Sequence, residues 1–168
     1  MPGDTDPANV SLPQQPIHPT MFPQSKTYFG STFNPVTNPY ECTIDGVDFL
    51  GTSGQTIDDI YKYVEGDDRL EMIEWTLKWR HIAPTCPDTL WSYPFQSVDP
   101  FILEKCPHVY FVGNQPRFET KLLEGPNGQS CRIIAVPRFS KTGELVLVDL
   151  ETLDCEVVRI SVEGPIIE

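Results

Sequence analysis

The sequence predicts a layered fold of the α/β type, in which helices cover a β-sheet, and three kinds of segment indicate this. Short apolar runs, such as residues 109–112, end at glycine-containing turns and are typical of buried strands. An amphipathic helix is expected over residues 69–81. Strand-like segments with short turns between them follow residue 119. Each such element has one apolar face to bury, so stacked layers are the expected arrangement.

The first part of the chain is rich in proline but also carries aromatic residues. Prolines recur from residue 2 to residue 39, with Phe22, Tyr28, Phe29 and Phe33 among them. Disordered segments are poor in aromatic residues, so we expect an ordered loop that packs on the core. The pair Asp45-Gly46 between apolar residues then predicts a β-hairpin.

Two helices are expected next. A short one starts at about Ile57, with Thr56 as its N-cap. The longer one, residues 69–81, has Asp68 and Glu71 placed as an acidic capping box. Its apolar stripe is predicted to contain Leu70, Ile73, Leu77 and, as a further candidate, His81, and Trp75 and Trp79 form a second pair at helical spacing. Packing against the protein's own core or loops is the favoured role of the two tryptophans, and contact with a partner is the alternative.

A proline-punctuated loop over residues 82–101 separates the helices from the remaining strands. The strand at residues 109–112 follows, and then four strand-like segments lie at residues 120–125, 131–137, 144–150 and 155–162. Short turns between them predict consecutive antiparallel hairpins. Strands that end at Gly51, Gly113 and Pro137 should lie in packed sheets, with the longer helix on one face.

The composition limits the functions that the chain can have. Its 168 residues fit one domain, and a net charge of −12 opposes tight, unaided binding to nucleic acid. The five cysteines are scattered without C-x-x-C spacing, and the chain has three histidines. This composition argues against a structural zinc site. The first residues lack the basic and apolar regions of a secretory signal, and no apolar run is long enough to span a membrane. We therefore expect reduced thiols and a cytosolic or nuclear location.

Three turns have the shape of strand ends that hold metal ions in phosphoesterases, where carboxylates, histidines and an amide oxygen bind two cations. The turn from Gly3 to Asp6 resembles the Gly-Asn-His-Asp turn of calcineurin-like phosphoesterases, with Asp4 and Thr5 in place of the asparagine and histidine. At the second turn, "FLGTSGQ", Ser53 lies where that superfamily carries a ligand histidine.

The third turn, Gly113 to Pro116, resembles the Gly-His-x-His turn of the same superfamily. Asn114 and Pro116 stand where its two histidines would be. Strand ends that lack histidine and most carboxylates cannot hold two cations. The five positions Asp4, Thr5, Ser53, Asn114 and Pro116 are therefore interpreted as a degenerate site, with no metal, no cofactor and no catalytic residue.

The sequence around these turns is similar to one family. The phrases "LPQQP", "IDGVDFLGTSGQ" and "APTCPDTL" resemble the C-terminal part of the small regulatory (B-type) subunits of eukaryotic family-B replicative DNA polymerases, and the delta-type subunits most of all. The resemblance runs from residue 1 to about residue 160. It implies a calcineurin-like phosphoesterase sandwich that has lost its activity, of which this chain is the C-terminal part. A preceding half-domain and an oligonucleotide-binding-fold domain are then expected outside residues 1–168.

The same resemblance implies a non-catalytic assembly subunit in the nucleus. Its expected partners are the C-terminal region of the polymerase catalytic subunit and a further accessory subunit, and it would meet DNA only through that complex and no membrane. The proline- and aromatic-rich loops at residues 22–33 and 91–101 are the candidate docking regions. Two alternatives remain at this stage: a metal-dependent phosphodiesterase or nuclease with an atypical site, and a binding module of the β-sandwich type.

Overall fold

A computed structural model describes residues 1–161 of the chain. Two short 3₁₀ helices, at Pro19–Met21 and Pro23–Tyr28, lie within the proline-rich segment. The strands and helices that follow, numbered in chain order, are β1 Tyr40–Ile44, β2 Val47–Thr52, α1 Gln55–Tyr61, α2 Arg69–Trp79, β3 Val109–Gln115, β4 Glu119–Glu124, β5 Ser130–Pro137, α3 Phe139–Thr142, β6 Glu144–Val148 and β7 Cys155–Arg159.

Five of the strands form one mixed sheet in the order β1-β2-β3-β5-β4. The three central strands are parallel, and β1 and β4 pair antiparallel at the two edges. Strands β6 and β7 form a separate two-stranded sheet. The predicted α/β fold class is confirmed, and the strands that contain Gly51, Gly113 and Pro137 all lie in the main sheet.

The hairpin predicted at Asp45-Gly46 is confirmed. Strands β1 and β2 pair from Ile44 and Val47 outward without a bulge. The two turn residues have φ angles of 48° and 82°, the left-handed conformation that a two-residue hairpin loop with the strand's own twist requires. Aspartate and glycine tolerate this conformation, which explains how the sequence places the turn.

Helix α1 begins earlier than the sequence predicts, and its predicted N-cap is wrong. Gly54, with φ of 111°, occupies the N-cap position, and Thr56 is buried inside the helix. A residue with a side chain would be strained at this φ, so the glycine fixes where the strand turns into the helix. Threonine is a common N-cap, but here the backbone conformation of its neighbour decides the boundary.

Helix α2 has the predicted N-cap but not the predicted buried stripe. The Asp68 carboxylate accepts a hydrogen bond of 2.9 Å from the Glu71 amide, and the helix ends at Trp79, so His81 lies outside it. Ile73 is buried as predicted, whereas Leu70 and Leu77 are only partly buried. The other buried positions are Arg69, Met72 and Thr76.

The buried stripe of α2 includes two polar residues, Arg69 and Thr76. The Arg69 guanidinium bonds Asp58 at 2.9 Å and lies 3.8 Å from the centre of the Tyr61 ring, so the charge is paired although the side chain is buried. The Thr76 hydroxyl donates to the Ile73 carbonyl at 2.8 Å. Because their polar atoms are satisfied locally, these residues can occupy positions that a search for apolar residues rejects.

The main core lies between the sheet and helices α1 and α2. The inward side chains of the strands include Leu50, Tyr110, Val112 and Ile133, which pack with Ile57, Met72 and Ile73. Successive strand residues point to opposite faces, so Val109 and Ile134 are buried on the other side of the sheet. There the Arg132 guanidinium donates at 2.6 Å to the Leu153 carbonyl, beside the β6–β7 turn, which ties the small sheet to β5.

The prediction of consecutive hairpins is correct for the pairs β4–β5 and β6–β7 and wrong for β5 and β6, which lie in separate sheets. Strand β5 lies between β3 and β4 and pairs parallel with β3. Strand β7 ends at Arg159, and the last residue of its predicted segment, Val162, is outside the described residues. Within residues 1–161, no helix has the length and apolar character needed to cross a membrane.

Candidate functional site at the ends of strands β2 and β3

The three predicted turns meet at the carboxyl ends of β2 and β3. The Asn114 side-chain amide donates to the Ser53 carbonyl at 2.9 Å, which joins the second turn to the third. A Cβ atom on Gly3 would lie 3.5 Å from Asn114 Nδ2, so the first turn packs on the third. Parallel strands bring their carboxyl ends to one edge of a sheet, which is where ligands bind in open α/β folds.

At the centre of this site lies a buried amide, that of Asn38. Its Nδ2 atom lies 2.8 Å from Gln14 Oε1, 2.7 Å from Ser53 Oγ and 2.9 Å from Gln55 Oε1. Its Oδ1 atom accepts a bond of 3.1 Å from the Ser53 backbone amide. Asn38 and Gln14 are almost fully buried, so these bonds are made out of contact with water.

The remaining bonds close a neutral network. Gln55 Nε2 donates to Gln14 Oε1 at 3.0 Å, and the Ser53 hydroxyl donates to Gln55 Oε1. Gln14 Nε2 in turn donates to the Gly3 carbonyl at 3.2 Å. The cluster of Gln14, Asn38, Ser53 and Gln55, called the amide network below, therefore links the first two turns without any charged group.

The predicted site residues divide into an interior and a rim. Ser53 is buried within the amide network, whereas Asn114 is exposed at the end of the neighbouring strand, has a left-handed φ of 57° and bonds the Ser53 carbonyl. Asp4 and Thr5 are exposed and line a cavity of about 320 Å³ beside Gln14 and Gln55. Pro116 is exposed. The structure thus brings Ser53 and Asn114 together and leaves the other three at the periphery.

The carboxylates near the site make protein contacts. Asp6 accepts a bond of 2.7 Å from the Gly3 amide and so closes the first turn. Among the described residues, no three histidine, cysteine, aspartate or glutamate side chains are grouped as a metal site requires. The chemistry available at the strand ends is that of neutral amides and hydroxyls, which are weak ligands for divalent cations when no carboxylate or imidazole accompanies them.

The approach of the β2 and β3 ends is unusually close. A Cβ atom on Gly54 would lie 2.3 Å from the Gly113 carbonyl oxygen. Gln115, which is fully buried, donates from Nε2 to that same carbonyl at 3.0 Å, while its Oε1 atom has no protein partner within the described residues. The two glycines let the turns pack backbone to backbone, and the side-chain amide of Gln115 stabilises this contact through its hydrogen bond to the Gly113 carbonyl.

Two aspartates in α1 lie behind the site and have opposite pKa shifts. Burial raises the pKa of Asp58, and the nearby Arg69 charge offsets this only in part. Burial also acts on Asp59, but hydrogen bonds from Thr89 and Lys62 contribute to a net lowering of its pKa. The Thr89 hydroxyl lies 2.6 Å from Asp59 Oδ2 and the Lys62 ammonium 2.9 Å from Oδ1. Asp59 is thus a structural anchor that holds the 85–90 loop against the helix.

The histidines also have structural partners. His81 Nε2 lies 3.0 Å from Asp99 Oδ2, and its Nδ1 accepts from the Ala83 amide at 3.2 Å. His108 Nδ1 accepts from the Asp48 amide at 2.9 Å at the start of β3. Both lie at the amino-terminal side of the sheet or at its loops, away from the three turns.

Sequence reasoning missed three members of the amide network: Gln14, Asn38 and Gln55. Gln14 and Gln55 lie in phrases that carry the family resemblance, "LPQQP" and "GTSGQ", and Asn38 lies in the segment "VTNPY". Their side chains meet across sequence separations of up to 41 residues, so no local pattern connects them. The available signal was an amide side chain directly beside a proline, at Gln14 and Asn38, where a buried amide is one way to hold a loop. Gln55 has no such neighbour.

Comparisons with known proteins identify the family of the chain. The family model that describes the B subunits of DNA polymerases alpha and epsilon matches residues 1–120. This covers more than half of the chain, and the chain belongs to that family of polymerase B subunits.

The particular relatives are delta-type subunits. The chain is 51% identical over 161 residues to the DNA polymerase delta small subunit of Oryza sativa subsp. japonica, an alignment that covers 96% of this chain and 37% of the relative. It is 51% identical to the DNA polymerase delta subunit 2 of Drosophila melanogaster, over 98% of this chain and 38% of the relative. The Saccharomyces cerevisiae DNA polymerase delta small subunit is 46% identical, over 96% and 39%. The chain spans less than two fifths of the length of these relatives.

Proposed function

We propose that this chain is the C-terminal part of a non-catalytic accessory subunit of DNA polymerase delta, which holds the polymerase complex together during DNA replication in the nucleus. The observation that carries the proposal is the identity of 46–51% to delta small subunits along nearly the whole chain. Because the alignment covers only 37–39% of these relatives, the preceding half-domain and an oligonucleotide-binding-fold domain belong to the same proposal.

The amide network supports the view that the phosphoesterase-like site is inactive. Hydrolysis at a two-metal site needs cations that lower the pKa of water and bridge the phosphate oxygens. Here Asn38 and its hydrogen-bond partners fill the space behind the strand ends with neutral groups that bond each other. A network of this kind fixes the turns in place, and its polar atoms are already used by protein partners.

The exposed aromatic loop fits a subunit that works by docking. Trp91, Tyr93 and Phe95 expose 66%, 43% and 48% of their surface and lie within five residues of one another in the chain. Aromatic residues of this kind are enriched at the centres of protein interfaces. In the other candidate region Phe22 and Phe29 each pack edge to face on Phe33, while Tyr28 is 57% exposed.

Co-purification tests this function. The complete subunit would be co-expressed with the C-terminal region of the delta catalytic subunit, with and without a further accessory subunit, and purified in moderate salt. We expect a stoichiometric complex, which the double variant Trp91→Ala, Phe95→Ala should weaken. Tyr63→Ala, at an aromatic residue that is 64% exposed and lies outside both candidate loops, serves as the control. Failure of the unmodified subunit to form a complex would contradict the proposal.

Metal binding separates this function from a phosphodiesterase. Titration calorimetry with Mn²⁺ and with Zn²⁺ should show no stoichiometric site at the three turns, and a nuclease assay with Mn²⁺ should show no activity above that of the buffer. Tight binding that is lost in the variant Asp4→Asn, Asp6→Asn would instead favour a hydrolase with an atypical site.

A further inference from the structure

Strand β1 is an unpaired edge of the main sheet. Its neighbour β2 directs the Asp48 backbone toward β3, because the Asp48 amide and carbonyl bond the His108 side chain and amide, each at 2.9 Å. The backbone groups of Val47 and Phe49, on either side of Asp48, therefore point toward β1. Thr43 stands opposite Asp48, so its own amide and carbonyl point outward, away from β2. By the same alternation Glu41 does so too. Within residues 1–161 these outward groups have no backbone partner.

A groove of about 550 Å³ lies beside this hairpin and is lined by residues of both β1 and β2. One side is formed by the β1–β2 hairpin, and the opposite wall is the loop from Val98 to Pro107. Apolar side chains of the wall, Val98 and Ile102, are 69% and 52% exposed. A strand added to β1 would place every second side chain in this groove.

The charges around the groove are nearly all negative. Glu41 and Asp48 line the groove from the hairpin, Asp99 and Glu104 line it from the loop, and Lys105 is the one cation among the described residues that does so. A basic strand is the occupant that complements these carboxylates. A second copy of this chain is a poor occupant, because each copy carries a net charge of −12 and would bring Glu41 against the same acidic groove.

The two edges of the sheet differ in how they are protected. Natural edge strands are often blunted by lysine, proline or bulges, which prevent unwanted pairing. The opposite edge, β4, has Lys121 at its centre, bonded to Glu74 of α2 at 2.7 Å. Strand β1 contains neither lysine nor proline and pairs with β2 in continuous register. It is thus a regular, pairing-competent edge.

We propose that β1 is a docking site for an extended, basic segment of a partner protein, which adds to the sheet as a sixth strand and places its basic side chains in the acidic groove. Backbone hydrogen bonds to Glu41 and Thr43 would supply affinity, and the carboxylates would select a segment with basic residues at every second position. The inference extends the proposed function, since it supposes that the subunit assembles with other proteins.

The probe is a short fluorescent peptide in which lysine and valine alternate, and its binding to the full chain is followed by fluorescence anisotropy. A peptide with glutamate in place of lysine tests the charge requirement. A third peptide, N-methylated at its backbone amides, keeps the charge but cannot pair with a strand edge. We expect binding of the first peptide only, and a loss of at least about tenfold for each of the others.

Protein variants locate the site. Glu41→Lys with Glu104→Lys reverses two groove charges at exposed side chains that make no side-chain bond within the described residues. Glu65→Lys with Glu151→Lys changes the net charge equally at exposed positions outside the groove. The first variant should weaken peptide binding about tenfold, and the second by much less.

Three results would overturn the proposal: no binding of the lysine–valine peptide, equal binding of its N-methylated form, or equal losses in the two double variants. The last two would show attraction to the acidic surface as a whole. The complex of the complete subunit with the catalytic subunit's C-terminal region is measured separately in unmodified protein. Its absence would contradict the proposed function, whereas its presence together with a failed peptide test would contradict the groove alone.

Discussion

Asn38 is the residue on which the turns at the strand ends depend most. Its side-chain nitrogen lies within hydrogen-bond distance of three side chains that come from two separate segments, and it is 1% exposed. Removing a buried hydrogen-bonding group leaves its former partners without bonds and without water, which costs more than the bond itself contributes. Loss of the Asn38 side chain alone is therefore expected to destabilise the amide network.

The variant Asn38→Ala tests this. We expect it to lower the free energy of unfolding by about 2–4 kcal/mol, because buried acceptors on Gln14 and Gln55 lose a donor. Urea unfolding followed by circular dichroism measures the change. Asn34→Ala is the matched control: Asn34 is exposed and makes one weak bond of 3.4 Å, so its loss should cost less than about 0.5 kcal/mol. Equal costs for the two variants would show that the network adds no stability.

The carboxylate of Asp59 makes stability depend on pH. Burial opposes its ionisation, but the bonds from Thr89 and Lys62 help to bring its folded pKa below the usual value. Its contribution is therefore present above the unfolded pKa, which is about 3.9, and is lost as the pH falls through the lower, folded pKa.

Asp59→Asn should destabilise the protein at pH 7 by about 1–3 kcal/mol, and the difference from the unmodified protein should shrink below about pH 4. Urea midpoints measured from pH 7 down to pH 3 give the comparison. Glu65→Gln, at an exposed position, should have little effect throughout this range. A difference that stays constant down to pH 3 would show that ionisation of Asp59 does not contribute.

At the scale of elements, the junction of β2 and α1 with the end of β3 is held by backbone contact. Gly54 and Gly66 have nearly the same left-handed φ, 111° and 106°. Their surroundings differ, because a Cβ atom on Gly54 would collide with the Gly113 carbonyl at 2.3 Å and one on Gly66 would meet nothing within 4 Å. Alanine variants of these two glycines therefore distinguish the cost of a strained φ from the cost of moving the two turns apart.

Gly66→Ala should cost about 1–2 kcal/mol from backbone strain alone, and Gly54→Ala at least about 2 kcal/mol more, because a rigid backbone must move. Thermal unfolding of both variants provides the measurement, and hydrogen exchange at Gln115 shows whether the β3 end opens. Similar melting temperatures would mean that the two turns can separate without penalty.

Local patterns predicted the elements better than they predicted their partners. Asp45-Gly46 and Asp68 determine a turn and a helix start through bonds within a few residues, and both predictions are confirmed. The insertion of β5 between β3 and β4 depends on pairing between distant segments, which short-range turn signals do not encode. The same reason explains why the turns at Ser53 and Asn114 were found while the network that joins them was not.

The whole molecule combines an acidic surface with two regions suited to docking, the aromatic loop and the β1 edge. A net charge of −12 over 168 residues repels the phosphate backbone of DNA, except where a local cluster of basic side chains outweighs it. Part of the positive charge is also paired within the described residues, since Lys78 and Lys121 both bond Glu74. This charge distribution favours the proposed role, in which the chain binds other proteins.

The same acidic surface determines how the chain should behave toward DNA. Protein that neutralises no phosphates releases no counterions, so the chain alone should not bind duplex DNA tighter than about 10⁻⁴ M at physiological salt, which is the weak end of non-specific binding. Fluorescence anisotropy of a labelled duplex, at low and at physiological salt, measures this. A complex with the polymerase catalytic subunit, tested on the same duplex, should bind and should lose affinity steeply as salt rises. Nanomolar binding by the chain alone would show a local basic site strong enough to override the net charge, and would contradict a role confined to protein assembly.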